Sequence, residues 1–179
     1  MKEDRAIKSS QPDGLQLQIT NAVRQAAEQL RASKSELFGF ALCTDDDVRT
    51  LYHVACTRDW VREKEVGYPE IGYVYVEWMD SANDKPFDEI SKQFKDLADA
   101  SNGDNALWAK ARDQRFDLLV NALRKCREEG VFAADTLLCA GSTDPSTHLE
   151  MLGMNCVDAV NTPEVADRFA RALGYEKYR

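Results

Sequence analysis

Leu37-Phe38-Gly39-Phe40-Ala41-Leu42-Cys43, then Thr44-Asp45-Asp46-Asp47, then Thr50-Leu51-Tyr52-His53-Val54-Ala55-Cys56, is the stretch that decides the fold. Two apolar runs of strand length flank a short acidic break. Asp favours tight turns and marks solvent, so the pattern predicts a β-hairpin with an acidic tip. The runs are rich in aromatic and apolar residues with no proline, which suits strands buried on at least one face.

Outward from the hairpin the period changes. Leu15, Ile19, Ala22, Val23, Ala26 and Leu30 recur at helical spacing in a segment rich in Gln, Ala and Arg, which predicts a helix before the first strand. Residues 1–13 are polar and read as a flexible lead-in to a single domain over 14–179. After the hairpin, Thr57 is placed to cap a short helix through Glu65. Tyr73-Val74-Tyr75-Val76-Glu77-Trp78 alternates and predicts a further strand. Asn83 or Asp84 can cap a helix with Pro86 in its first turn and a stripe of Phe87, Ile90, Phe94 and Leu97. Asn102-Gly103-Asp104 separates it from another helix with Phe116, Leu119, Val120 and Leu123 on its stripe, closed by Gly130. Thr136 to Ala140 is a short buried strand. Gly141 to Ser146 is a loop in which Thr143 or Asp144 can cap a helix with Pro145 in its first turn. Residues 149–160 are ambiguous. Thr162-Pro163 opens a last helix that stops at Gly174. The expected class is α+β: a mixed, partly antiparallel sheet of about four strands with helices packed on it.

Acidic residues outnumber basic ones by 31 to 23, for a net charge of −8. The excess is uneven: residues 1–34 carry +2 and the remainder −10. Such a body repels phosphate backbones and attracts basic partners, so a protein partner is expected and nucleic acid is not. Cys43, Cys56, Cys126, Cys139 and Cys156 form an odd set without C-x-x-C or zinc spacing, so free thiols, a reducing compartment and the cytoplasm are expected. The longest apolar run, Leu37 to Cys43, is far short of the roughly 20 residues of a membrane span.

No motif declares a reaction. Asp45-Asp46-Asp47 lacks the alternation, the glycine and the terminal glutamate of a calcium loop. Cys43 and His53 lie on neighbouring predicted strands and could form a nucleophile pair only with an orienting group and an oxyanion site. His148 and Glu150 lack the cysteine partners of a zinc deaminase. Gly141-Ser142-Thr143-Asp144 has one glycine and no lysine, too little for a phosphate cradle. No catalytic residue, metal or cofactor is therefore expected. Asp45, Asp46 and Asp47 at the hairpin tip, with Glu77, Trp78 and Asp80 at the end of the third strand, are the candidate partner-binding residues.

Several segments in order are familiar: Phe38-Gly39-Phe40-Ala41-Leu42-Cys43-Thr44-Asp45-Asp46, Ala55-Cys56-Thr57, Tyr75-Val76-Glu77-Trp78-Met79-Asp80, Gly130-Val131-Phe132, Thr136 to Ala140, Asp144 and Asn161-Thr162-Pro163-Glu164. Over residues 15–174 the chain resembles the bacterial domain-of-unknown-function family numbered 4303. One Trp stands where that family has a Trp-rich segment. The resemblance brings no catalytic residues. It implies a small cytoplasmic bacterial protein, similar in size and charge to immunity proteins encoded beside secreted toxins. The leading expectation is thus an immunity protein that binds and neutralises a cognate toxin, a basic toxin domain being the candidate partner. The alternatives are a small enzyme built on Cys43/His53 or the Gly141–Asp144 loop, and a housekeeping interaction module.

Overall fold

The hairpin's first strand is the centre of the molecule. In the computed structural model, which describes residues 12–32, 36–78, 85–101 and 103–175, strand β1 (Leu37–Thr44) lies between β2 (Tyr52–Thr57) and β3 (Leu137–Ser142). It pairs antiparallel with β2, Leu42 opposite His53, and parallel with β3, Ala41 opposite Cys139. The class is α+β, with six α-helices on a three-stranded mixed sheet among the described residues.

Alternation along β1 divides the core. Phe40 and Leu42 face α1 (Pro12–Ala32), α3 (Lys85–Ala100) and α4 (Asn105–Glu128), which supply Ile19, Val23, Phe87, Phe94, Phe116 and Leu119. Ala41 and Cys43 face the other way, toward Val61 of α2 (Arg58–Lys64), Trp78, and Val165 and Phe169 of α6 (Pro163–Ala172). Helix α5 (Thr147–Val160) runs along β3 and serves both layers, Leu149 and Cys156 on one side and Val157 on the other. Beyond α5, the Asn161 amide accepts from Leu138 N at 2.8 Å and donates to Leu138 O at 2.7 Å. It pairs with the outer edge of β3 as a neighbouring strand would, which closes that stretch to another chain.

Most helix ends follow local chemistry. Thr57 caps α2 by accepting from Trp60 N, Asp104 caps α4 by accepting from Ala106 N and Leu107 N, and Thr162 with Pro163 opens α6. The cap of α5 is Ser146 rather than Thr143 or Asp144, and Pro145 precedes it. The proposed caps Asn83 and Asp84 lie outside the described residues, as does residue stretch 1–11 of the lead-in, while α1 begins at Pro12.

The expected strand over Tyr73–Trp78 is absent. Two single turns of 3-10 helix, Ile71–Tyr73 and Tyr75–Glu77, take its place, which leaves three strands instead of about four. The cause is on the sheet. The Tyr75 hydroxyl donates to Ser142 O at 2.8 Å, and the Trp78 ring lies against Gly39. In a strand, residues three apart point to opposite faces, whereas a 3-10 turn stacks i over i+3. Only the turn lets Tyr75 and Trp78 reach the same surface.

Candidate functional site

Because β1 and β3 are parallel, their carboxyl ends emerge side by side, Thr44 next to Ser142. Loops leaving such ends are where sheets of this kind usually bind. Residues 45–51 continue from β1, and residues 143–146 lead from β3 into α5. Thr143 N donates to Thr44 O, and Ser146 N donates to Asp46 Oδ1 at 2.8 Å, so the two loops are stitched together.

The acidic triplet has a different job at each position. Asp45 closes the hairpin loop: Oδ1 accepts from Arg49 N at 2.7 Å and Oδ2 from Thr50 Oγ1 at 3.2 Å. Asp46 holds the entrance to α5 through Ser146. Asp47 offers its backbone carbonyl to Arg115 Nη2, and the next carbonyl, of Val48, accepts from Arg115 Nε, both at 2.9 Å. The three side chains are half-buried, not fully exposed. Val48 sits at φ 51° with its side chain wholly buried, a conformation that a β-branched residue rarely adopts.

Arg115 makes that conformation tenable. It rises from α4, is 2 % exposed, and burial lowers its pKa, with Asp45 and Asp47 opposing the shift. Its Nη1 has no hydrogen-bond partner among the described residues. The other basic side chains of this edge also have partners within the chain. Arg49 Nη2 pairs with Asp99 at 2.6 Å. Arg112 lies over the Trp108 ring and bonds Asp113 at 2.9 and 3.1 Å. His148 Nε2 stands 3.0 Å from the same carboxylate. By contrast, the Asp47 carboxylate and the exposed Asp144 make no side-chain hydrogen bond or ion pair among the described residues. The edge thus pairs its guanidinium groups within the chain, Arg115 in the core and Arg49 at the surface, and leaves the half-buried Asp47 and the exposed Asp144 without a hydrogen bond of their own among the described residues.

The other candidate residues do not join it. Glu77 is exposed on the second 3-10 turn. Trp78 is 2 % exposed over Gly39, which pairs with Leu137 at the opposite end of β3. Its ring is a core anchor, so the expectation of a surface contact there is corrected. Asp80 lies outside the described residues.

A family model described as a domain of unknown function (DUF4303) matches residues 19–162. The chain belongs to the DUF4303 family. In this DUF4303 chain the matched span runs from α1 to the cap of α6 and contains the whole carboxyl edge. No curated protein and no solved structure matches it.

Within the DUF4303 domain, the Cys43/His53 pairing does not form. His53 lies opposite Leu42 and stacks between Phe40 and Phe87, whereas Cys43, one residue on, points through the sheet to the Trp78 side. A period of two puts neighbours on opposite faces. Gly141 is also unavailable as a cradle, because the Tyr75 hydroxyl occupies the space above it. Among the described residues there is no group of three or more His, Cys, Asp or Glu that could hold a metal ion, and no helix long and apolar enough to cross a membrane.

Arg115 and Asp113 were not among the sequence candidates, and His148 was weighed only as a metal ligand. One signal for Arg115 was present. Arg112 and Arg115 occupy the helical register of Phe116, Leu119 and Leu123, where a charged residue must find buried acceptors.

Proposed function

We propose that this protein is a bacterial, cytoplasmic binding protein that grips a basic protein partner with the carboxyl edge of its sheet, and that it serves as an immunity protein neutralising a cognate toxin. The observation that carries this is the sorting of charge at the edge. Arg49, Arg112 and Arg115 are each paired with acceptors of this chain, while the carboxylates of Asp47 and Asp144 make no hydrogen bond or ion pair among the described residues, on a body of net charge −8. Outward carboxylate on a rigid frame steers a basic surface into place and disfavours nucleic acid. The separation of Cys43 from His53 weighs against the enzyme alternative on that pair.

The test begins with co-purification against the product of each neighbouring gene. With a partner in hand, Asp47→Asn/Asp144→Asn is compared with wild type in stopped-flow at low and high salt. Neither side chain makes a hydrogen bond among the described residues, and because the Asp47 charge supports the buried Arg115, the melting temperature of the variant is measured alongside and Asp144→Asn alone serves as the fold-neutral control. Association slows by roughly tenfold or more at low salt, and its salt dependence flattens. An unchanged rate and slope would remove the edge as the binding site. Failure of every neighbouring product to bind would remove the immunity assignment, and a bound partner that is no toxin would favour the interaction-module alternative.

A further inference from the structure

The helix that starts at the acidic edge carries a pocket on its outer side. Glu150, Met154 and Asp158 recur every four residues along α5, with Met151 beside them, so they share one face. With Tyr175 they line a cavity of about 270 Å³. Met151 is 61 % exposed, so its thioether is open to a molecule entering the cavity. Met154 and Tyr175 also border a smaller recess of about 90 Å³, lined deeper down by Leu149 and Phe169. The bed is apolar and the rim is acidic. Glu150 Oε1 accepts from the Tyr175 hydroxyl at 2.5 Å, which holds its carboxylate at the mouth.

We infer that this cavity receives a lysine or arginine side chain of the protein partner. An anionic group is repelled by the rim. A purely apolar side chain would cover Glu150 without offering it a partner, which is costly. A long cationic side chain satisfies both parts: its methylene stem lies on the thioethers and its charged head meets Glu150. Methionine suits the bed because it is unbranched, polarizable and adapts to the stem it covers. The hydroxyl of Tyr175 fixes the carboxylate beforehand, so less order is lost when the cation arrives. Edge and pocket share α5, so one partner surface spans both: the edge attracts it and the pocket anchors one residue of it.

This inference rests on the proposed basic protein partner, yet its test needs no partner. Nα-acetyl-arginine methylamide and Nα-acetyl-lysine methylamide are titrated into the full-length protein, with Nα-acetyl-norleucine methylamide as the uncharged control. The methionine methyl groups are followed by carbon-13 NMR. The Met151 and Met154 signals shift saturably with the cationic probes. Affinity falls at least several-fold with the norleucine probe and in Glu150→Gln, an exposed substitution that leaves the fold intact. Silence of Met151 and Met154, an equal response to norleucine, or full retention in Glu150→Gln would each overturn the pocket. A silent pocket beside an intact partner complex removes the pocket alone, whereas the absence of any complex removes the proposed function.

Discussion

The indole of Trp78 lies so close over Gly39 that a Cβ there would stand 2.2 Å from its Cη2 and 2.7 Å from Cζ2 and Cζ3. A fused ring buried in the core cannot swing aside. Gly39→Ala therefore destabilises the protein by about 2–3 kcal/mol, as overpacking does. Gly141→Ala meets the Tyr75 hydroxyl at 2.2 Å, but that is the far end of a side chain that can move, so the loss is smaller, about 1 kcal/mol. Urea midpoints measure both. Adding Trp78→Leu to Gly39→Ala returns part of the loss, because the two residues are coupled. A Gly39→Ala protein as stable as wild type would contradict this packing.

Arg115 and Val48 are paired in the same sense. Arg115→Met relieves a buried charge but orphans the carbonyls of Asp47 and Val48. The carbonyl losses outweigh the relief, and stability falls by about 2 kcal/mol. Val48→Gly frees a left-handed backbone worth ~1–2 kcal/mol but gives up a fully buried side chain worth ~1.5–3 kcal/mol. The net change is a loss of about 1 kcal/mol. Chemical denaturation reads both, and a stabilised Val48→Gly would reverse the ranking.

The bond from Arg24 to Glu129, at 2.5 Å, lowers the Glu129 pKa below its ordinary 4.5, and Lys125 helps. A carboxylate held lower in the folded state adds stability above the unfolded value and loses it as pH falls through the folded one. Arg24 is raised, not lowered, and leaves the acid range untouched. Glu129→Gln therefore melts below wild type at neutral pH, and the two melting curves converge as pH drops below 4.5. High salt narrows the gap at neutral pH. A gap that persists in acid would point to packing instead of charge.

All five thiols are buried, and burial pushes Cys126 up to about 11, Cys156 up to about 12 and Cys139 well above 9.0. The thiolate is the reactive form. Iodoacetamide at mildly alkaline pH leaves the native protein unmodified and labels all five after denaturation, as mass spectrometry would register. Rapid native labelling of any one would contradict the buried arrangement.

Local chemistry was legible in the sequence. The hairpin, the Thr57 cap, the helix start after Asn102-Gly103-Asp104 and the Thr162-Pro163 start all rest on neighbours within a few residues. What depended on distant residues was hidden. Alternation over Tyr73–Trp78 fits a strand, and only Gly39 and Gly141 convert it into turns. Residues 149–160 are ambiguous because α5 packs both core layers and so shows no single apolar stripe. At the edge, the acidic triplet was visible, but its division of labour requires Arg115, 68 residues from Asp47, and Ser146, 100 residues from Asp46.

Order in time follows from the position of β1. Gly39 finds Cys56 close by in the chain but must wait for Leu137. Contacts near in sequence form first, since closing a long loop costs more entropy. The hairpin is thus expected to precede β3, and the bonds from Thr143 to Thr44 and from Ser146 to Asp46, which span about 100 residues, are expected to follow it. Pulse-labelled hydrogen exchange during refolding would find β1 and β2 amides protected before those of Thr143 and Ser146; the reverse order would refute the sequence of events. An unfinished chain then has no edge to present. A partner that grips the edge selects completed molecules and passes over chains still folding or already coming apart.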